Sequence, residues 1–310
     1  MVRDFGANQS LENAGILCVF RVFQTAELRQ KIHQQSQTIY SAVTIGEVKQ
    51  MNRKKNGCGG LCFLLILVIL GAGAWKLWNI SDVPGSGTYG EADRIIEAFA
   101  AQNGLALSDY PEELRELLQR NPETEDFVLH YPLEKDEPIE VDLSEYDDCP
   151  GVPLFLQWDR QWGRMEYGGK PAALTGCGPV CLSMATYYLT GDEEFSPDKI
   201  IKFAGKNGYY SPGNGSSWTL ISEGGEKLGF DVAEIPLSES RILKELRAGR
   251  PVICAMGQGD FTTSGHFIVL VGEEEGLLRV NDPNSIENSE KLWHFEDIES
   301  QFRNLWAIGK

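Results

Sequence analysis

Residues 175–191 read TGCGPVCLSMATYYLTG. A Gly-Cys-Gly-Pro turn runs into a segment in which Cys181, Met184, Ala185 and Tyr188 recur at i, i+3, i+4 and i+7, the spacing of one helix face. Cys177 therefore stands at a helix N-terminus. The positive end of the helix dipole favours a thiolate there, and glycines on both sides leave room for a substrate backbone. Those are the properties of a nucleophile. Read alone, the stretch also allows Cys177 to be a small buried residue at a helix start. Cys181, one turn further in, reads as core, and so does Cys254 within the strand-like run PVICAM.

Working outward, helical patterns precede strand patterns. Gly178–Leu189, Pro197–Asn207, Trp218–Leu228 and Ser240–Ala248 read as helices, each closed by or near a glycine. PVICAM (251–256), HFIVLV (266–271), LLRVND (277–282), KLWHF (291–295) and NLWAIG (304–309) read as strands. The expected class is α+β, with an antiparallel sheet packed against the earlier helices.

A thiol nucleophile needs a base, and the chain has four histidines: His33, His130, His266 and His294. His266 opens HFIVLV straight after Thr-Thr-Ser-Gly, a loop-to-strand junction where a side chain can face a cleft. HFIVLV and LLRVND flank the polar, glycine-bounded segment 272–276, so they are expected to form a hairpin. Pairing Val271 with Leu277 sets His266 directly opposite Asp282, with Cβ atoms about 5 Å apart, close enough for a carboxylate to orient an imidazole. Asp282 is also a turn-former in Asn-Asp-Pro, and the two roles are compatible. Asn281 points to the other face and is the weaker candidate.

Composition narrows the remaining classes. The chain has 310 residues, 42% hydrophobic and 24% charged, enough for one or two cored domains. Its net charge of -17 argues against nucleic acid as a partner, because counterion release requires clustered Lys and Arg. Seven irregularly spaced cysteines make a poor disulfide framework, and no bridge is expected. Cys58/Cys62 and Cys177/Cys181 lack the paired spacing of a zinc site, so no metal is expected.

Cys58–Lys76, CGGLCFLLILVILGAGAWK, is apolar until its last residue and long enough at 1.5 Å per residue to span roughly 30 Å of hydrocarbon. Arg53, Lys54 and Lys55 precede it, and Trp75 and Trp78 mark its far end, so the positive-inside rule puts the N-terminus in the cytoplasm and everything past residue 80 outside. Ala72-Gly73-Ala74 offers a second reading, a cleaved signal peptide, with the same export. The expected organisation is a cytoplasmic segment over 1–56, or a gene-model extension ahead of a start at Met51. A membrane helix over 57–78, a Pro/Gly/Ser stalk over 79–90, a small helical lead-in with an acidic connector over 91–148, and a catalytic domain over 149–310 follow it.

From Val152 onward the chain resembles the papain-fold peptidases of the bacteriocin-processing, double-glycine leader family, in particular a stand-alone exported branch of Gram-positive bacteria. The resemblance is carried by VPLFLQWDRQWG, TGCGPVCLSMATYYLTG, GRPVICAMGQGDFTTSGHFIVLVG and VNDPNS. It implies a papain-like fold and a Cys-His-Asp triad, which falls on Cys177, His266 and Asp282. It also implies an upstream Gln in the oxyanion hole, which falls on Gln157 or else Gln161. Twenty residues separate Gln157 from Cys177, a longer interval than papain-type enzymes use. The transporter domains that accompany leader-processing members are not in these residues, so their substrate does not carry over.

The expected function is thus an extracellular, membrane-tethered cysteine peptidase acting on a peptide or protein without a cofactor. The alternatives are a non-catalytic papain-fold binding module and a cell-wall amide hydrolase or acyl transferase with the same triad. Ser211–Trp218 is expected either to rim the cleft or to cap a helix, and Trp158, Trp162 and Tyr167 to be packing aromatics rather than substrate platforms.

Overall fold

The computed structural model describes residues 90–213 and 215–310. The segment over 1–56, the membrane helix over 57–78 and the stalk, apart from its last residue, lie outside the described residues. Among the described residues no helix is long and apolar enough to cross a membrane.

The lead-in is built of three helices rather than the two that periodicity predicts: α1 (Gly90–Asn103), α2 (Glu112–Arg120) and α3 (Glu125–Glu134). Pro132 sits inside α3 and disguises it, since proline removes a backbone donor and breaks the helical pattern. A 3-10 turn at Pro122–Thr124 joins α2 to α3, and Asn121 caps it by accepting from the Glu123 N–H. The acidic connector is not only a spacer. Its Leu143 and Tyr146 are buried in the same apolar cluster as Phe155, Trp162 and Met184.

The second half of the chain contains a short hairpin, β1 (Glu166–Tyr167) and β2 (Lys170–Pro171), then one turn of helix, α4 (Ala172–Thr175). The central helix α5 (Cys177–Thr190) follows and stops at Gly191, whose φ of 64° is the left-handed conformation that closes a helix. The predicted apolar stripe is too narrow: α5 is buried from Gly178 through Tyr187, whereas Tyr188 is exposed. The reason is its central place, covered by the sheet on one side and by Phe155 and α6 (Pro197–Lys206) on others. A second hairpin follows, β3 (Tyr210–Ser211) and β4 (Gly215–Ser216). The single helix expected over Trp218–Leu228 divides into a 3-10 turn at Trp218–Leu220 and α7 (Ser222–Lys227).

The sheet has six antiparallel strands in the order β5-β10-β6-β7-β8-β9. These are β5 (Asp231–Glu234), β6 (Val252–Met256), β7 (His266–Glu274), β8 (Leu277–Asn281), β9 (Leu292–Trp293) and β10 (Phe302–Gly309). Helix α8 (Glu239–Arg247) lies between β5 and β6, α9 (Ile286–Glu290) between β8 and β9, and α10 (Phe295–Ile298) after β9. β5 escapes sequence detection because it is a short, acidic edge strand, the composition that discourages edge-to-edge pairing. KLWHF contributes only two residues of strand, since His294 instead precedes α10. One sheet face packs on α5 through Ile253, Phe267 and Val269; the other buries Cys254, Ile268 and Leu270 with Ile242 of α8. Each large apolar side chain buried this way contributes roughly 1.5–3 kcal/mol.

The β7–β8 hairpin departs from the expected register. β7 runs on to Glu274 and the turn is only Glu275-Gly276, with φ of 53° and 84°. Two successive positive-φ residues make the tight turn that matches strand twist. The ladder pairs Glu274 with Leu277 and Gly272 with Arg279, then skips Val271 in a bulge and resumes at Leu270–Val280 and Val269–Asn281. His266 is therefore diagonal to Asp282 rather than directly across from it.

Candidate active site

Cys177 is the first residue of α5 and is partly exposed. The glycines around it serve internal packing. A Cβ on Gly178 would meet Ser216 Oγ at 2.5 Å, and one on Gly176 would meet the Ala172 carbonyl oxygen at 2.6 Å. They let β4 and α4 close on the start of the helix. Thr175 Oγ1 donates to the Tyr167 carbonyl at 2.8 Å and ties the same turn to β1.

His266 begins β7 and is nearly enclosed, its side chain 8% exposed. Its Nε2 lies 2.7 Å from Asp282 Oδ1. The thiol of Cys177 is near enough to act on the same ring. Burial on its own pushes the imidazolium down. The charge and hydrogen bond of Asp282, then the neighbouring Cys177, outweigh it and hold the His266 pKa at about 10. A ring held charged through neutral pH beside a buried carboxylate and a thiol is the arrangement from which a thiolate–imidazolium pair forms.

Asp282 is 1% exposed and saturated with donors. The Asn284 N–H reaches Oδ1 at 2.9 Å, and Asn288 Nδ2 reaches Oδ2 at 2.9 Å. Its own N–H donates to Ser289 Oγ at 2.9 Å. Asn281 turns to the opposite face, where Nδ2 donates to the Val152 and Pro153 carbonyls at 3.0 Å each.

Gln157 is 5% exposed, and its Nε2 donates to the Ala173 carbonyl at 2.7 Å, four residues before Cys177. Its Oε1 is buried with no hydrogen-bond partner. Its backbone N–H donates to the Pro283 carbonyl at 2.7 Å, tying this loop to the one that carries Asp282. Gln161, the other oxyanion candidate, is bound elsewhere: its Oε1 accepts from the Asp142 N–H at 2.7 Å.

The structure thus brings His266 and Asp282 of one hairpin together, with Cys177 from the distant helix α5 near the ring. His130 sits on α3 against Asp126 and Phe99, and His294 is exposed ahead of α10. His33 lies outside the described residues. Trp162 and Tyr167 are buried, as packing residues should be, and Trp158 Nε1 donates to the Asn284 carbonyl at 3.2 Å. Trp218 is 49% exposed with its ring edge-on to Trp306. Among the described residues no group of three or more His, Cys, Asp or Glu is arranged to hold a metal ion. Of the described cysteines, Cys177, Cys181 and Cys254 are free, the last two fully buried. Cys149 is disulfide-bonded, against the expectation of no bridge, and its partner lies outside the described residues. Spacing within the chain carries no information on which distant cysteine reaches it.

An antiparallel sheet packed on a buried helix that opens with cysteine, with a strand-borne His–Asp pair against that cysteine, defines a papain-like cysteine peptidase architecture. A sequence model of the Peptidase_C39 like family matches residues 150–309, more than half of the 310-residue chain, and the chain belongs to that family. It is a cysteine peptidase, a hydrolase of peptide bonds. Two solved structures resemble it. The peptidase domain of Streptococcus ComA, a bifunctional ABC transporter involved in a quorum-sensing pathway, is 21% identical, with 44% of this chain and 91% of that chain covered and a TM-score of 0.33. A C39-like peptidase from Bacillus anthracis is 16% identical, with 51% and 94% covered and a TM-score of 0.35. Comparison with curated proteins returns no match.

Proposed function

We propose that this chain is an exported peptidase, tethered to the outer face of the cell membrane, whose catalysis runs through Cys177, His266 and Asp282. The observation that supports the assignment is the buried His266–Asp282 pair, Nε2 to Oδ1 at 2.7 Å, with the helix-opening Cys177 near enough to act on the same ring. In this reading the Cys177 thiolate adds to the scissile carbonyl carbon. The imidazolium protonates the departing amine as the tetrahedral intermediate collapses to a thioester. The neutral ring then takes a proton from water, whose oxygen attacks the thioester and releases the acid and the thiolate. Asp282 fixes the tautomer throughout, and the chemistry uses no cofactor. The oxyanion is met by the backbone N–H of Cys177, one of the helix donors without a partner inside the helix, and by the second N–H of Gln157 Nε2.

Export and tethering rest on the apolar run Cys58–Lys76 with Arg53, Lys54 and Lys55 ahead of it. The substrate class, a peptide, follows from family membership. The test is a cleavage profile on a proteome-derived peptide library, comparing the exported region with its Cys177→Ala variant. Wild type is expected to cut and the variant to be silent, while iodoacetamide at mildly acidic pH modifies Cys177 in the wild type. Identical profiles from the two proteins sink the assignment.

A further inference from the structure

The donors that hold Asp282 belong to one short stretch, and that stretch is held from outside the matched region. Pro283, Asn284, Ser285 and α9 (Ile286–Glu290) follow Asp282 in the chain. Asn284 N–H and Asn288 Nδ2 are bonded to its carboxylate, and Ser289 Oγ to its N–H. The first two helical N–H groups of α9 have no acceptor within the helix. Both are taken by one side chain more than 160 positions earlier: the Ile286 N–H donates to Glu123 Oε2 at 2.8 Å, and the Glu287 N–H to Glu123 Oε1 at 2.9 Å. Beside it, Asn121 Nδ2 donates to the Asn284 carbonyl at 2.6 Å, the same carbonyl that receives Trp158 Nε1 at 3.2 Å.

Glu123 is itself held in place. It belongs to the 3-10 turn whose N-cap is Asn121, and the neighbouring Thr124 is fully buried with Oγ1 on the Asn121 carbonyl at 2.8 Å. The lead-in is anchored at a second point, where Arg160 pairs with Asp126 at 3.2 Å and with Glu134. Close by, Gly163 leaves no space for a Cβ beside Phe127 of α3. Arg160 and Gly163 lie in the loop that starts at Gln157. Residues 91–134 thus touch both loops that flank Cys177, yet they precede the family-matched region, which begins at residue 150.

We infer that Glu123 is a positioning residue for the peptidase reaction: its carboxylate caps α9, α9 and Asn284 hold Asp282, and Asp282 orients His266, so the helical lead-in is a working part of the site. This rests on the reading of Asp282 as the orienting carboxylate. A capped α9 fixes the Asn288 amide and the Asn284 N–H against both carboxylate oxygens. Without the cap, two donors lose their acceptor and the loop gains freedom where displacement of a reacting group by about 1 Å costs up to a hundredfold in rate.

The test compares Glu123→Ala, Glu123→Gln and, as a control on another lead-in contact, Glu113→Ala, which removes the 3.6 Å pair to Lys170. Peptide cleavage is measured across pH, together with the pH dependence of Cys177 alkylation, and both are normalised to the folded fraction. Glu123→Ala is expected to lower kcat about tenfold or more with KM within about twofold. Its alkaline limb, set by His266 between the charged groups Cys177 and Asp282 that face it, is expected at lower pH. Glu123→Gln keeps one acceptor and recovers part of the loss, while Glu113→Ala matches wild type. Wild-type kcat and an unmoved alkaline limb in folded Glu123→Ala overturn the inference, as does an effect explained wholly by unfolding. Should Asp282→Asn turn over like wild type, the underlying assignment of Asp282 fails instead, whatever Glu123→Ala does. If no peptide is cut, the alkylation profiles alone decide between the same outcomes.

Discussion

His266 is the residue on which the site's electrostatics turn. Burial pushes its ordinary value of 6.5 down, but the charge and hydrogen bond of Asp282, and then the neighbouring Cys177, outweigh it and bring the value to about 10. A base whose pKa is raised on folding contributes stability that is fully present below about 6.5 and is lost as pH rises through 10. Thermal melts of the wild type should therefore show a midpoint that falls between pH 7 and pH 10.5. Asp282→Asn removes the largest cause that raises His266, so the midpoint should fall less steeply and an NMR titration should find the ring deprotonating at lower pH. A ring that titrates identically in the two proteins contradicts this account of the pair. At this scale the three residues of the proposed triad each carry a local signal in the chain: Cys177 opens a helix, His266 stands at a loop-to-strand junction and Asp282 follows the end of a strand. Glu123 carried none. It is one glutamate among many in an acidic helical segment, and only the loop it meets distinguishes it.

Among the elements, the β7–β8 hairpin decides which side of the sheet Asp282 faces. Continued without interruption from Gly272–Arg279, the ladder would set Asp282 opposite Val269, on the face away from His266. The bulge at Val271 absorbs one residue and returns the two side chains to a common face. Deleting Val271 leaves Leu270 opposite Val280 in a regular ladder, so peptide cleavage should stay within about tenfold of wild type. Deleting Arg279 moves β8 by one place, turns Asp282 to the wrong face, and should abolish cleavage. Equal activity in the two deletions would contradict the assigned register. The hairpin was expected from its flanking apolar runs, but with a five-residue turn and a direct His266–Asp282 pairing. A glutamate at positive φ and a mid-strand bulge have no sequence signature strong enough to reveal the offset.

Across the whole molecule, the core does not stop where the family match begins. Tyr146 stands edge-on to Phe155 with ring centroids 4.9 Å apart, and edge-on ring packing continues from Phe155 to Trp162 and to Tyr187 of the central helix. Tyr146→Ala should cost about 3 kcal/mol, read as a shift in the denaturant midpoint, and an effect below about 1 kcal/mol would show that the connector is dispensable to the core.

By itself the sequence determined what short-range chemistry determines: helix and strand periods, the cysteine at a helix start, the α+β class, the acidic surface charge and the family's motifs. Tertiary structure alone decided the diagonal meeting of His266 and Asp282, the hold of Gln157 on the Ala173 carbonyl, and the reach of Glu123 to α9. Those contacts join segments between 16 and 164 positions apart. Periodicity speaks for neighbours along the chain, whereas a register offset or a distant cap is set by how the packed segments come to rest against each other.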